Sequence, residues 1–152
     1  MPMEHKRGRM EIVELQDLAA PASDVWSLVG GFNNLPDFDP TSRWSALEFG
    51  GRDRRVGVTP SGEIVERLTH YDDVERTYSY IITELIGLEF PFTNYYSTIV
   101  VKEKPGKAEC QLDWRGWADP TPGHTPEEVE TNLRGIYRGI ADRLVARFGT
   151  PS

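Results

Sequence analysis

The chain has 152 residues, and its 17 Lys and Arg against 24 Asp and Glu give a formal net charge of −7. This length predicts a single domain that can bury a core without disulfides, and the lone cysteine, Cys110, excludes an intramolecular disulfide. Net acidity argues against a nucleic-acid partner, and no stretch approaches the roughly 18 apolar residues of a membrane span, so we expect a cytoplasmic protein that does not insert into membranes.

The N-terminal part of the chain predicts a tail, a strand and a pair of short helices. Residues 1–9 are polar and basic, with no apolar run behind them, and predict a mobile tail. Apolar residues at period two in Met10–Leu18 predict the first strand. A short helix follows, with Pro21 at its first position and Gly30 just past its end, and a further helical turn is expected at Leu35–Phe38.

Between residues 44 and 118 the pattern changes to short runs of β-branched and aromatic residues separated by turn signals. Six strands fit that spacing, and the short loops between them require antiparallel pairing. The predicted strands are Trp44–Phe49, Arg54–Thr59, Glu63–Tyr71, Thr77–Glu84, Thr93–Lys102 and Ala108–Ala118.

A long C-terminal helix is predicted from its capping signals and its apolar period. Thr125 occupies the N-cap position, Pro126 takes the first helical position, and Glu128 completes a capping box. Gly149 ends the helix. The apolar residues that share one face of it are Val129, Leu133, Ile136, Tyr137, Ile140, Leu144 and Phe148.

The element order predicts one α+β domain over residues 10–149. A seven-stranded antiparallel sheet must bury one face, and one long helix covers only part of that face. If the sheet curls around the helix, space remains between them, and gaps in that position are where small-molecule pockets occur.

Several short motifs resemble those of the START-like SRPBCC superfamily, and in particular its bacterial polyketide cyclase/dehydrase-like group. They are PASDVWSLV near the N-terminus, G-x-x-R at Gly51–Arg54, EIVERL at Glu63–Leu68 and NYYS at Asn94–Ser97, and plant abscisic acid receptors share their order. The resemblance implies a helix-grip fold: a seven-stranded antiparallel sheet curled around the C-terminal helix, with two short helices between the first two strands. It also implies an internal hydrophobic cavity.

Strand alternation and this resemblance together predict the side chains that line the cavity. The resemblance implies that Glu66 points inward, and alternation then places Ile64 and Leu68 beside it. The resemblance likewise implies inward positions for Tyr95 and Ser97. The further predicted ligand contacts, on the sheet and on the C-terminal helix, are Tyr80, Ile99, Leu112, Trp114, Leu133, Ile136, Tyr137 and Ile140.

Glu66 is the candidate catalytic residue, with Tyr95 as its partner. A carboxyl group held among Tyr, Trp and Ile side chains has a raised pKa, because desolvation disfavours its charged form. Beside a tyrosine hydroxyl it can act as a general acid or base in proton abstraction next to a carbonyl, in dehydration or in aldol-type ring closure. Equally, a buried acid can anchor water, pair with an arginine, or bind a ligand, the last being what the resemblance to the hormone receptors implies.

Other charged positions near the predicted cavity have alternative interpretations. Arg54 pairs with Glu66, meets an acidic ligand, or is an ordinary exposed strand charge. Asp37 and Asp39 supply a second carboxylate opposite Glu66, or serve as helix caps and turn formers.

Departures from the hormone receptors argue against an acidic hormone as the ligand. Their pocket lysine has no counterpart in the segment LPDFDP, and Trp114 stands where they carry an acidic residue. The loop Thr59–Gly62 is also shorter than the receptors' gate. Trp114 itself is either a stacking wall for a planar ligand or a part of the core.

Three functions stay open on these grounds: binding of a hydrophobic, cyclic small molecule, a cyclase or dehydratase reaction that uses Glu66, and transport of a lipid or quinone. The three histidines share no metal-ligand spacing, and no phosphate-binding or nucleotide motif is present, so we expect no metal and no cofactor. The partner is then a hydrophobic small molecule, and the protein is expected to be a monomer or a homodimer.

Overall fold

The computed structural model describes residues 7–152, which form one seven-stranded antiparallel sheet and two α-helices. The strands are β1 (Met10–Leu18), β2 (Trp44–Glu48), β3 (Asp53–Gly57), β4 (Glu63–Asp72), β5 (Thr77–Ile86), β6 (Phe92–Glu103) and β7 (Cys110–Pro120). The helices are α1 (Ala22–Val29) and α2 (Pro126–Phe148), and single 3-10 turns occupy Leu35–Asp37 and Phe49–Gly51. The predicted α+β helix-grip fold is confirmed.

The strand order in the sheet is β1-β7-β6-β5-β4-β3-β2, and every neighbouring pair is antiparallel. From β2 to β7, consecutive strands are neighbours, as their short connections require. β1 instead pairs along its whole length with β7, so that Met10 lies opposite Ala118 and Leu18 opposite Cys110. The first and last strands therefore close one side of the sheet together, and β2 forms the other edge.

Several predicted element ends differ from the structure by one or two residues, and two of these differences have a clear backbone cause. Pro21 is the N-cap of α1 and not its first helical residue, because its ψ of 149° is extended and the helix begins at Ala22. β2 ends at Glu48, one residue before the predicted end. Phe49 and Gly50 both have positive φ values, 51° and 65°, which turn the chain out of the extended conformation.

Helix α2 has the predicted capping box. Thr125 Oγ1 accepts a hydrogen bond from the Glu128 backbone N at 3.2 Å, and the Thr125 backbone N donates to Glu128 Oε1 at 3.3 Å. Gly149, with a φ of 77°, ends the helix. The buried residues of the helix are Val129, Leu133, Tyr137, Ile140, Ala141 and Leu144. No helix within residues 7–152 combines the length and the apolar character that crossing a membrane requires.

The described part of the predicted tail is hydrogen-bonded to the sheet. Gly8 N donates to the Asn94 carbonyl oxygen at 2.8 Å, and Arg9 N donates to Asp119 Oδ1 at 2.9 Å. Residues 1–6 of the predicted tail lie outside the described residues.

A glycine on β7 sets how closely α2 approaches the sheet. A Cβ atom at Gly116 would collide with the hydroxyl of Tyr137 and would press on the rings of Tyr137 and Tyr95. With glycine at this position, the Tyr137 hydroxyl reaches Tyr95 and forms a 2.6 Å hydrogen bond with it. A polar contact inside the apolar core thus helps to hold the helix to the sheet, together with the ion pairs that Arg134 and Arg138 form with Glu14 of β1.

We predict that Gly116→Ala lowers the free energy of unfolding by about 1–3 kcal/mol, because the added methyl group displaces Tyr137 in a packed core. Denaturant unfolding monitored by circular dichroism measures this change. Gly135→Ala is the matched control: this position lies on α2, a methyl group there would point into open space, and the change should stabilise the helix. Equal stability of Gly116→Ala and wild type would contradict the assigned role of Gly116.

Candidate functional site

A cavity of about 190 Å³ lies between the inner face of the sheet and α2. Its walls come from β3, β4, β5, β6, β7 and α2, and from the segment that follows the first 3-10 turn. Carbon atoms of aliphatic and aromatic side chains form most of its surface. The cavity thus lies between the sheet and α2, where open space is predicted because one helix covers only part of the inner face of the sheet.

Nine of the sequence-predicted site residues line this cavity. They are Ile64, Glu66, Tyr80, Tyr95, Trp114, Leu133, Ile136, Tyr137 and Ile140. Strand alternation and helix period bring them to one place, since each comes from the inward face of its element. Their roles in ligand binding and catalysis stay predictions.

The other five predicted ligand contacts lie outside the cavity lining. Ser97 donates its hydroxyl hydrogen to the Arg115 carbonyl oxygen at 2.8 Å, and Ile99 and Leu112 are part of the hydrophobic core. Leu68 is half-buried against that core, and Arg54 lies behind Glu66. Alternation identifies the face of a strand that points inward, but it does not show how far along the strand a cavity extends.

Arg54 and Glu66 form a buried ion pair at the wall of the cavity. They lie directly opposite each other on β3 and β4, and Arg54 Nε donates to Glu66 Oε1 at 2.8 Å. Arg54 Nη1 donates to the Phe32 carbonyl oxygen at 2.8 Å, and the guanidinium lies over the rings of Phe32 and Tyr80, at 4.3 and 5.0 Å. Arg54 is 0% exposed, so the interpretation as an exposed strand charge is wrong.

Glu66 keeps one oxygen available to the cavity. Its Oε1 accepts from Arg54, whereas Oε2 accepts no hydrogen bond from residues 7–152, and 8% of the side chain stays exposed. Burial raises the pKa of Glu66, Arg54 opposes that shift, and Asp39 adds to it. Burial lowers the pKa of Arg54, but the charge and hydrogen bond of Glu66, together with Tyr78 and Tyr80, raise it by more, so Arg54 stays cationic.

Asp39 lines the cavity and also shapes the turn in which it lies. Its Oδ1 accepts hydrogen bonds from the backbone N and the hydroxyl of Thr41, at 2.9 and 2.7 Å, and its Oδ2 accepts from the Ser42 hydroxyl at 3.0 Å. Asp39 therefore shapes its turn and also lies at the cavity wall, and a functional role of its carboxylate stays a prediction. Asp37 lies in the 3-10 turn, outside the cavity lining.

Seven further lining residues have no prediction from the sequence: Leu35, Thr41, Ser42, Val56, Val58, Phe90 and Phe92. Alternation from Arg54 along β3 would have found Val56. Ile82 lines the cavity beside Tyr80, on the face of β5 that strand alternation predicts to point inward. Leu35, Thr41, Ser42 and Phe90 lie in turns and connections, where no period in the sequence indicates direction.

Tyrosine hydroxyls form a second polar group in the cavity. The hydroxyls of Tyr95 and Tyr137 are 2.6 Å apart, and the Tyr80 ring is 6.0 Å from the Tyr95 ring. Burial raises the pKa of all three phenols above their ordinary value of 10.0. At neutral pH they are protonated, so they can donate hydrogen bonds but cannot serve as general bases.

Trp114 forms an aromatic wall of the cavity. Its ring lies 5.9 Å from the Tyr137 ring and 6.4 Å from the Phe38 ring, and only 2% of the residue is exposed. Its indole Nε1 is buried with no hydrogen-bond partner among residues 7–152. Both interpretations of Trp114 are compatible with this position, since it packs in the core and borders the cavity.

Comparison with known proteins agrees with this architecture. The profile of the family described as "Polyketide cyclase / dehydrase and lipid transport" matches residues 9–149. The chain belongs to this family. No curated protein sequence matches it.

Within residues 7–152, no three His, Cys, Asp or Glu side chains come together as a possible metal site.

Solved structures from several bacteria share the fold. The protein XoxI from Bacillus cereus is 34% identical, with a TM-score of 0.86 over 92% of this chain and 96% of that one. A START superfamily protein from Mycobacterium smegmatis is 17% identical, with a TM-score of 0.72 over 91% and 96%. The Zhui aromatase/cyclase from a Streptomyces species is 16% identical, with a TM-score of 0.70 over 91% and 92%.

We predict that Arg54→Met costs about 3–5 kcal/mol of stability at neutral pH, because it leaves the buried Glu66 carboxylate unpaired. Without Arg54, burial holds the pKa of Glu66 still further above its unfolded value of 4.5. The protonated form is then favoured in the folded state, so the loss should be largest at high pH and should shrink as the pH falls through the raised pKa.

Unfolding by denaturant at several pH values measures this dependence. The double variant Arg54→Met/Glu66→Leu, which removes both charges, should recover most of the lost stability. A pH-independent loss in Arg54→Met would show that packing of the arginine, and not its charge, stabilises the fold.

Proposed function

We propose that this protein binds a hydrophobic, cyclic small molecule in the cavity between the sheet and α2. The observation that carries the proposal is an apolar cavity with a single carboxylate oxygen, Glu66 Oε2, left without a partner among residues 7–152. Apolar walls supply affinity by desolvation, and a few polar groups supply orientation, which is the usual composition of a small-molecule site.

The cavity volume limits the ligand. An apolar cavity of about 150 Å³ accepts benzene, whereas pockets for drug-sized molecules span roughly 300–1,000 Å³. At about 190 Å³, this cavity fits a compact ligand built on one ring or two small rings. The same volume disfavours the alternative of a lipid or long-chain quinone carrier.

Aromatic side chains favour a planar ligand. Tyr80, Phe92, Tyr95 and Trp114 border the cavity, with ring centroids 5.3 Å apart for Phe92 and Tyr95 and 6.0 Å apart for Tyr80 and Tyr95. Faces and edges of such rings interact with a flat ligand in offset or edge-to-face arrangements.

A cofactor-independent cyclase or dehydratase reaction is the second candidate, and the raised pKa of Glu66 favours it. A carboxyl group whose pKa lies nearer to neutrality can take a proton from carbon and return it to a leaving hydroxyl. Tyr95, protonated and hydrogen-bonded to Tyr137, can stabilise the developing enolate oxygen by donating a hydrogen bond. The family description names both enzymes and transport proteins, and so accommodates either function.

Two expectations concern the protein in the cell. We infer that it has no nucleic-acid partner, which the net charge of −7 supports, and a cytoplasmic location stays a prediction. The expectation of a monomer or a homodimer stays a prediction.

We predict that Ile136→Trp abolishes ligand binding, because the larger side chain fills the cavity from α2. The measurement is native mass spectrometry of the purified protein, followed by titration with any compound that it releases. Asp142→Trp, an exposed position on the same helix, is the control and should bind as the wild type does. Undiminished binding by Ile136→Trp would locate the ligand elsewhere.

Glu66→Gln separates the two candidate functions. The substrate is first identified by screening β-keto and polyketide-like compounds. If Glu66 moves the proton, we expect Glu66→Gln to lower kcat by at least about a hundredfold. A binding protein without chemistry shows no turnover in either form. Turnover that survives in Glu66→Gln would remove Glu66 from the catalytic role.

A further inference from the structure

The charges around the cavity are arranged so that no cation faces a ligand. Within residues 7–152, the lining contains no Lys, Arg or His side chain, but it contains the carboxyl groups of Glu66 and Asp39. The nearest guanidinium belongs to Arg54, whose Nε is bonded to Glu66 and whose Nη1 is bonded to Phe32. Its Nη2 has no partner in the described chain, but the atom is enclosed by protein.

The hydrogen-bonding capacity of the two carboxyl groups differs. Asp39 accepts three hydrogen bonds from Thr41 and Ser42, so both of its oxygens are occupied. Glu66 accepts one, on Oε1, and Oε2 is left as an acceptor at the edge of an apolar space. Because this oxygen is reached from the cavity, a ligand that donates a hydrogen bond can satisfy it, and a hydrogen bond to a charged acceptor contributes more than one to a neutral acceptor.

From this arrangement we propose that the cavity selects an uncharged ring compound that donates a hydrogen bond, such as a phenol or an alcohol, to Glu66 Oε2. It excludes the corresponding carboxylic acids. The inference rests on the proposed binding function and assigns the polarity of its ligand. An anionic ligand would bring a third carboxylate next to Glu66 and Asp39 without a free cation, and would lose its own hydration.

The test uses three one-ring probes of nearly equal size: 4-ethylphenol, 4-ethylanisole and 4-ethylbenzoate, each titrated calorimetrically into the wild-type protein at pH 7. The anisole retains the ring and the oxygen but lacks the donor hydrogen. We expect the phenol to bind about tenfold or more tightly than the anisole, as a hydrogen bond to a charged acceptor allows. The benzoate should bind more weakly than both.

Each result has one meaning. Equal binding of phenol and anisole, or tightest binding of the benzoate, would overturn the inference and leave the proposed cavity function intact. Failure of all three probes, together with an empty protein in native mass spectrometry, would contradict the proposed function itself.

Glu66→Gln provides an independent test, because it should shift the preference of the cavity from the phenol toward the benzoate. It removes the negative charge that neutralises Arg54, so the benzoate should gain affinity relative to the phenol. Glu63→Gln is the matched control, since Glu63 lies on the same strand, pairs with Arg55 and is absent from the cavity lining. It should leave the order of the three probes unchanged, and thermal unfolding of each variant verifies that it is folded. An unchanged order in folded Glu66→Gln would contradict the assigned role of Glu66.

Discussion

The buried ion pair between Arg54 and Glu66 is the constraint on which the cavity depends. Two charges that are largely removed from solvent are tolerated only when they satisfy each other and their remaining hydrogen-bonding groups. The direct opposition of the two residues on β3 and β4 meets the first condition, and the Phe32 carbonyl oxygen meets part of the second. Arg54 also ties the segment after α1 to β3, near the β2 edge of the sheet.

A second polar contact belongs to another part of the cavity wall. The hydrogen bond between Tyr95 and Tyr137 joins β6 to α2, and the glycine at position 116 of β7 leaves room for it. The cavity is therefore bounded by two polar anchors set in apolar surroundings, one of them ionic and the other neutral. Between them, aliphatic and aromatic side chains leave a space that water occupies poorly.

Local patterns predicted most of the fold. The capping box at Thr125, the period of α2 and the alternation within the strands are set by neighbours in sequence, and each is found in the structure. The sequence left the role of Arg54 open between an ion pair with Glu66, contact with an acidic ligand and an exposed position. The reason is that the charged residues 52–55 are also typical of an exposed strand edge. Asp39 was assigned to a turn or to the cavity and does both, since a turn's place in the fold depends on distant packing.

The distance between α2 and the sheet bears on the size of the cavity. Because Gly116 on β7 has no side chain, Tyr137 packs close enough to the sheet for its hydroxyl to form a hydrogen bond with Tyr95. Six structural elements supply the walls of the cavity, and Gly116 is not among the residues that line it. In this chain, the space available to a ligand therefore depends in part on a position that has no side chain.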